Sequence, residues 1–301
     1  MTKRSRNWLI VLLSIPVAAI LGVTGLLIFN AVRPLPPIRP LPDPNGYDAL
    51  VKAGEMTAIE TGDFSETKLE DLRAQTAKNS GALQAARAGL QEDCAVPLQF
   101  SENYMSRHLP ELAGFKRLAQ AFVTEGRLAE MENRPGDAAK SYLDAIRLGN
   151  KSARGGVLID ALVGIAIEAM GTAGLQNLVD QLDAKKCREA AATLETLDAQ
   201  RQTWKEVIQQ ERAWSRRAYP GIKYRWSKLV MYSSLKKAHQ AGERKFNKRQ
   251  LMTRQLLVDL AARAYELENG RRPASLTDLV PEYLKAVPKD PASGANLILT
   301  P

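Results

Sequence analysis

Histidine and cysteine are nearly missing from this sequence, with two of each among 301 residues. That is too few for a zinc module or a disulfide-dense scaffold. Aromatic residues are sparse at 6%. No Gly-rich phosphate loop, HExxH, GxSxG or CxxC is present, so the local motifs of nucleotide, metalloprotease, hydrolase and thiol-redox chemistry are all lacking. No metal and no cofactor is called for. Strand patterning is scarce as well. What is there is ordinary for a folded chain, with 45% hydrophobic residues, far from a disordered composition.

The longest feature comes first. After the basic segment 1–7, residues 8–32 run for twenty-five positions without a charge. About 20 apolar residues span a bilayer as a helix, so this run reads as a transmembrane signal anchor. A cleaved signal peptide would have a shorter apolar region and a small-residue cleavage site; bulky Phe29 occupies the −3 position of the best candidate site. Trp8 stands where an interfacial aromatic belongs. Lys3, Arg4 and Arg6 outweigh Arg33 and Arg39, which orients the N-terminus to the cytoplasm and the bulk of the chain outside. Ser14, Ala18 and Gly22 have the small-xxx-small spacing that lets two such helices associate.

A spacer follows at 33–46, with six prolines between residues 34 and 44. Proline fixes φ and has no N–H, so the segment should be extended polyproline II, spanning roughly 30 Å. From 47 onward apolar residues recur at three and four, and good helix formers dominate. The expected fold class is therefore all-α: a membrane helix, a proline-rich spacer and a helical extracytoplasmic body at 47–200. Gly62, Pro97, Pro110, Pro135, Gly149, Gly155-Gly156, Pro220 and Gly242 read as its punctuation. Within it Phe122, Gly126, Asn133, Ala138, Tyr142 and Ala145 resemble one tetratricopeptide unit, which implies an antiparallel helical hairpin near 112–150. The apolar stretch 157–170 carries Asp160 and Glu168 and reads as a buried helix of fourteen residues, too short to span a bilayer. Its two carboxylates are about 80° apart around a helix, so they read as separate ion pairs or a surface pair rather than an acid–base couple. His108 and His239 have no partner visible in the sequence.

Charge is concentrated in one place. Residues 201–250 hold fourteen Lys/Arg against Glu206, Glu211 and Glu243, with Trp204, Trp214 and Trp226 among them. Basic residues interleaved with aromatics suit anionic lipid, glycan or nucleic acid. Arg212, Arg216, Arg217, Lys223, Arg225, Trp226 and Lys228 are the candidate binding residues. The alternative is a pair of solvated helices whose aromatics face the core. The predicted topology argues against nucleic acid. Cys94 and Cys187 could pair in an oxidising compartment or lie as two independently buried thiols.

The end of the chain, 251–301, reads as an amphipathic helix with Leu256, Leu257, Leu260, Ala261, Ala264 and Tyr265 on one face. Asn269-Gly270 stops it, Ser275 and Asp278 cap a short helix, and ANLILT suggests a final strand. AYELENGRRPASLTDLVPEYLKAVPKDP is similar to a local segment of the type II secretion major pseudopilin, with Arg272 where that family has Tyr and no processing site ahead of the apolar run. It also resembles the tails of uncharacterised bacterial single-pass membrane proteins, a resemblance that extends upstream to NGYDALVKAG. That likeness implies an inner-membrane protein with a periplasmic body. The sequence thus points to an envelope interaction or scaffold protein, bound to the bilayer through 8–32 and meeting a protein partner or an anionic surface. An envelope hydrolase, needing a pocket with convergent carboxylates or a His-acid pair, and a secretion-system accessory are the alternatives.

Overall fold

The computed structural model describes residues 40–58, 68–221 and 231–299, together with positions 22, 25, 35, 37 and 38. The expected basic segment 1–7 and nearly all of the expected membrane helix 8–32 lie outside the described residues. Of the small-residue trio only Gly22 is described; it is helical and exposed. Two compact units divide the chain, Met1–Arg39 with Pro220–Tyr232, and Pro40–Tyr219 with Ser233–Pro301.

The helical body is all-α, with eight α-helices and no strand among the described residues: α1 Gly46–Met56, α2 Leu69–Gly89, α3 Tyr104–Met131, α4 Pro135–Ser152, α5 Leu158–Leu178, α6 Ala184–Ala199, α7 Trp204–Ala218 and α8 Tyr232–Asn269. Local chemistry sets the boundaries. The Asn45 side chain accepts from the Tyr47 N–H and, across fifty residues, from the Ala95 N–H. Asp183 caps α6 through the Lys186 N–H, and Thr203 with Glu206 forms a capping box on α7. Asn133, at φ 58°, makes the left-handed turn between α3 and α4, and Pro135 opens α4 where its missing N–H costs nothing.

Two apolar clusters share the middle helices. One joins α1 and α2 to α3–α5 through Tyr47, Leu50, Leu83, Phe115, Phe122 and Ile167. The other joins α4–α6 to α8 and the tail, and holds all six residues expected on the apolar face of α8. Each large side chain taken fully from water contributes about 1.5–3 kcal/mol. The α3–α4 hairpin closes where Gly126 faces the Tyr142 ring, since a Cβ there would lie 2.6 Å from Cε1. α4 and α5 touch backbone to backbone: a Cβ on Gly149 would meet the Gly164 carbonyl oxygen at 2.5 Å, and one on Gly164 the Gly149 oxygen at 2.6 Å.

Several expectations change here. The apolar stretch 157–170 belongs to a helix of 21 residues, because Gly171 and Gly174 do not end it but let it pass close to Tyr142 of α4. Leu158–Gln181 is the one segment among the described residues long and apolar enough to cross a membrane. It lies in the body's core instead, with Ile167, Leu175 and Leu178 in the two clusters. Pro110, Gly149 and Gly242 sit inside helices rather than between them. The described part of the ANLILT segment, 295–299, forms no strand, only an isolated bridge between Lys289 and Asn296. Gly270, at φ +68°, and the Ser275–Asp278 cap do end α8 and start a 3₁₀ turn at Leu276–Leu279. Cys94 and Cys187 are free thiols buried in different clusters, so the possible disulfide does not form.

Candidate functional site

The basic segment resolves into a sorted pair of helices. On α7, Val207, Ile208, Trp214 and Ala218 turn inward, and the Trp214 indole N–H donates to the Gln99 carbonyl at 2.9 Å. Trp204 packs on Phe246 of α8 with ring centroids 5.7 Å apart. Gly242 passes so close beneath it that a Cβ would meet the indole at 2.6 Å. Of the aromatics here with a described side chain, Trp214 and Phe246 are buried and Trp204 and Tyr219 are half-buried.

The cations do the opposite. Lys205, Arg212, Lys236, Lys237, Arg244, Lys245 and Lys248 are exposed. Lys237, Arg244 and Lys248 stand seven and four residues apart, one stripe of α8. Phe246 lies nine residues from Lys237, about 180° around the helix, so the stripe points away from the face that packs. Glu243 is the one acid of α8 between Lys236 and Lys248. From Ser233 to Glu243 only Gly242 is buried, so the N-terminal part of α8 contributes little to the core.

The individually expected residues divide. Arg212 is exposed; Arg216 and Arg217 are half-buried, and the Arg217 guanidinium lies 5.2 Å from the Phe100 ring centroid, a cation–π distance. Lys223, Arg225, Trp226 and Lys228 lie outside the described residues. The interleaving of aromatic with basic residues is thus an amphipathic helix pattern on the described part, not a stacking platform.

Beneath this surface are two buried polar networks whose partners are remote in sequence. His108 on α3, 1% exposed, has Nε2 2.5 Å from Asp160 Oδ1 of α5 and Nδ1 2.9 Å from Glu111 Oε2. The Tyr47 hydroxyl of α1 donates to the same Glu111 oxygen at 2.9 Å, and the Tyr104 ring stacks on the imidazole at 4.8 Å. The second carboxylate oxygen of Asp160 accepts from the Val157 N–H. His108 therefore has two acid partners where the sequence showed none. Burial opposes its protonation, but the hydrogen bonds and charges of Asp160 and Glu111 outweigh it and raise its pKa. With a carboxylate on each ring nitrogen, the imidazole has no position left for a substrate. Glu111 alone reaches solvent, at an open cleft of about 430 Å³ that Tyr47, Asp48, Lys52 and Glu55 also line.

In the second network Arg201 donates to both oxygens of Glu168, at 2.9 and 2.6 Å. Asp198, 3.7 Å from Arg201, is in turn held by Arg254 at 2.7 Å. Asp160 and Glu168 thus serve separate cations, His108 and Arg201. Among the described residues no three His, Cys, Asp or Glu side chains are arranged to hold a metal ion.

No family model, no curated protein and no solved structure matches this chain.

Proposed function

We propose that this chain is a membrane-anchored interaction protein of the bacterial envelope, whose helical body lays the basic stripe of α8 against an anionic phospholipid surface. The N-terminal anchor at 8–32, the proline spacer, the periplasmic placement of the body and the tetratricopeptide-like character of the α3–α4 hairpin all belong to this proposal. One observation carries it: Lys237, Arg244 and Lys248 share an exposed face opposite Phe246, on a helical segment that buries almost nothing else. A segment that buries so little gains little from packing, whereas each Lys or Arg near an anionic leaflet contributes about 1 kcal/mol. An uncharged run of twenty-five residues in the same chain supplies the reason for a bilayer to be near. The hydrolase alternative lacks this support, because both nitrogens of the buried histidine are occupied.

The test uses the full chain in proteoliposomes, with Gln240→Cys labelled by an environment-sensitive fluorophore. Gln240 is exposed and carries no charge, and both native thiols are buried. A blue shift is expected in phosphatidylglycerol vesicles but not in phosphatidylcholine. It should be reversed by molar salt, which shortens the screening length to about 3 Å, and lost when Lys237, Arg244 and Lys248 are changed to Glu. Identical spectra in both lipids would sink the proposal.

A further inference from the structure

We infer that His108, Glu111 and Asp160 form a proton-operated latch on α1: when His108 loses its proton it keeps Asp160 and releases Glu111, whose carboxylate turns out into the cleft that Lys52 lines. The geometry admits this because both ring nitrogens face an acceptor. Nδ1 lies 2.9 Å from Glu111 Oε2 and Nε2 lies 2.5 Å from Asp160 Oδ1. Only the imidazolium carries two N–H groups; the neutral ring has one donor and one lone pair. Deprotonation therefore leaves one nitrogen and one carboxylate oxygen facing each other with no proton between them, an arrangement that repels.

Burial decides which contact breaks. The Asp160 side chain is 0% exposed and the Glu111 side chain 33%. A carboxylate without its donor costs far more in the interior than at the surface. Asp160 cannot reach water without opening α5, whose first turn its other oxygen caps through the Val157 N–H. Glu111 needs only to turn a side chain that already borders the cleft, where Lys52 is exposed. The remaining N–H thus stays on Nε2. Release reaches α1, because the Glu111 oxygen beside His108 also accepts from the Tyr47 hydroxyl. A buried phenol then loses its acceptor, and a polar tie between α1 and α3 is lost with it.

The other groups around the ring do not titrate in the same range. Tyr47 from α1 and Tyr104 from α3 have phenols pushed up by burial. From α7, Trp214 meets Tyr104 and Glu211 accepts from the Leu158 N–H; at the cleft α1 adds Asp48 and Glu55 to Lys52. Among the described residues His108 is the one cation paired with either carboxylate. Burial opposes its charge, but the hydrogen bonds and charges of Asp160 and Glu111 outweigh burial and raise its pKa, so the latch opens above the ordinary histidine value of about 6.5.

The experiment combines crystal structures of the full chain in detergent at roughly pH 5.5 and roughly pH 9, either side of the histidine range, with nitrogen-15 spectra of histidine-labelled protein across the same interval. The chain has two histidines, so His239→Gln assigns the signals. At the acid end both ring nitrogens should carry protons and both contacts should be present. At the alkaline end the spectrum should show a bare Nδ1 and a protonated Nε2, with Asp160 in place and Glu111 turned into the cleft. Glu111→Gln should abolish the movement, since its amide can donate to the bare Nδ1 and still accept from Tyr47, and His108 should then titrate at a lower pH than in the native protein. A proton retained on Nδ1 of the neutral ring, an unmoved Glu111 at the alkaline end, or a side chain at 111 that still turns out in Glu111→Gln would each overturn the inference. The two structures of the native protein decide it even if Glu111→Gln does not fold.

Discussion

His108 shows what a single residue does in this body. Its imidazole ties α1, α3 and α5 together through Glu111, Tyr47 and Asp160. Removing one member of a buried ion pair leaves the other charge without compensation, which costs about 3–5 kcal/mol; His108→Leu is expected to destabilise the body by that amount. The pH dependence follows from the raised pKa. Folding favours the imidazolium, so its stabilisation is complete below the ordinary histidine value near 6.5. It fades as pH rises through the higher folded value. The phenols of Tyr47 and Tyr104 are pushed up by burial, out of that window. Melting temperature should therefore fall as the pH is raised above neutrality, and calorimetry on His108→Leu should show that slope flattened. An unchanged slope in the variant would remove His108 as its source. The pairing with Asp160 was not legible in the sequence, because 52 residues separate it from His108; Glu111, one turn on at i+3, was the one partner that local spacing could have shown.

At the scale of helices, glycine has two roles that look alike in a sequence. Gly270 stops a helix with its positive φ, and its place beside Asn269, ahead of Pro273, made that readable. Gly149, Gly164, Gly126 and Gly242 instead permit close approach within helices, which only the neighbouring element reveals. The two roles predict opposite effects. Gly164→Ala puts a Cβ 2.6 Å from the Gly149 carbonyl and 2.8 Å from the Ala153 Cβ. Overpacking of about 1–3 kcal/mol should exceed the roughly 1 kcal/mol gained in helix propensity. Gly81→Ala on α2 meets only the Met56 Cε at 3.7 Å and should stabilise by about 0.5–1 kcal/mol. Urea denaturation of the pair checks both signs. The amphipathic face of α8 was legible residue by residue, because a stripe at helical spacing has few solutions other than burial.

For the whole molecule the proposed anchoring turns on one question, which side of a membrane would hold the basic stripe. Both native thiols are buried, and burial raises their pKa, to about 11 at Cys187, so they should react slowly with maleimide in the folded protein. A single cysteine introduced at exposed Ile38 then reports topology. In intact cells an impermeant maleimide is expected to label Ile38→Cys from outside. Labelling only after lysis would place the body in the cytoplasm and would overturn its placement at an extracytoplasmic surface.

By itself the sequence determined the helical class, the Asn269-Gly270 stop and Ser275–Asp278 cap, the inward face of α8 and the concentration of positive charge between 201 and 250. Each of these depends on interactions within a few residues: hydrogen-bond closure, side-chain capping, the 3.6-residue period. The resemblance to a tetratricopeptide unit implied a helical hairpin around Phe122, Gly126, Tyr142 and Ala145, and two helices joined by a short turn do pack there. Tertiary structure alone decided that the buried helix at 157–170 runs on to Leu178, that His108 and Arg201 neutralise different carboxylates, and that Trp204 and Trp214 turn inward while Lys237 and Lys248 do not. Those outcomes depend on which distant element supplies the counter-charge or the apolar surface, and the energies concerned are set by burial, which no local spacing records.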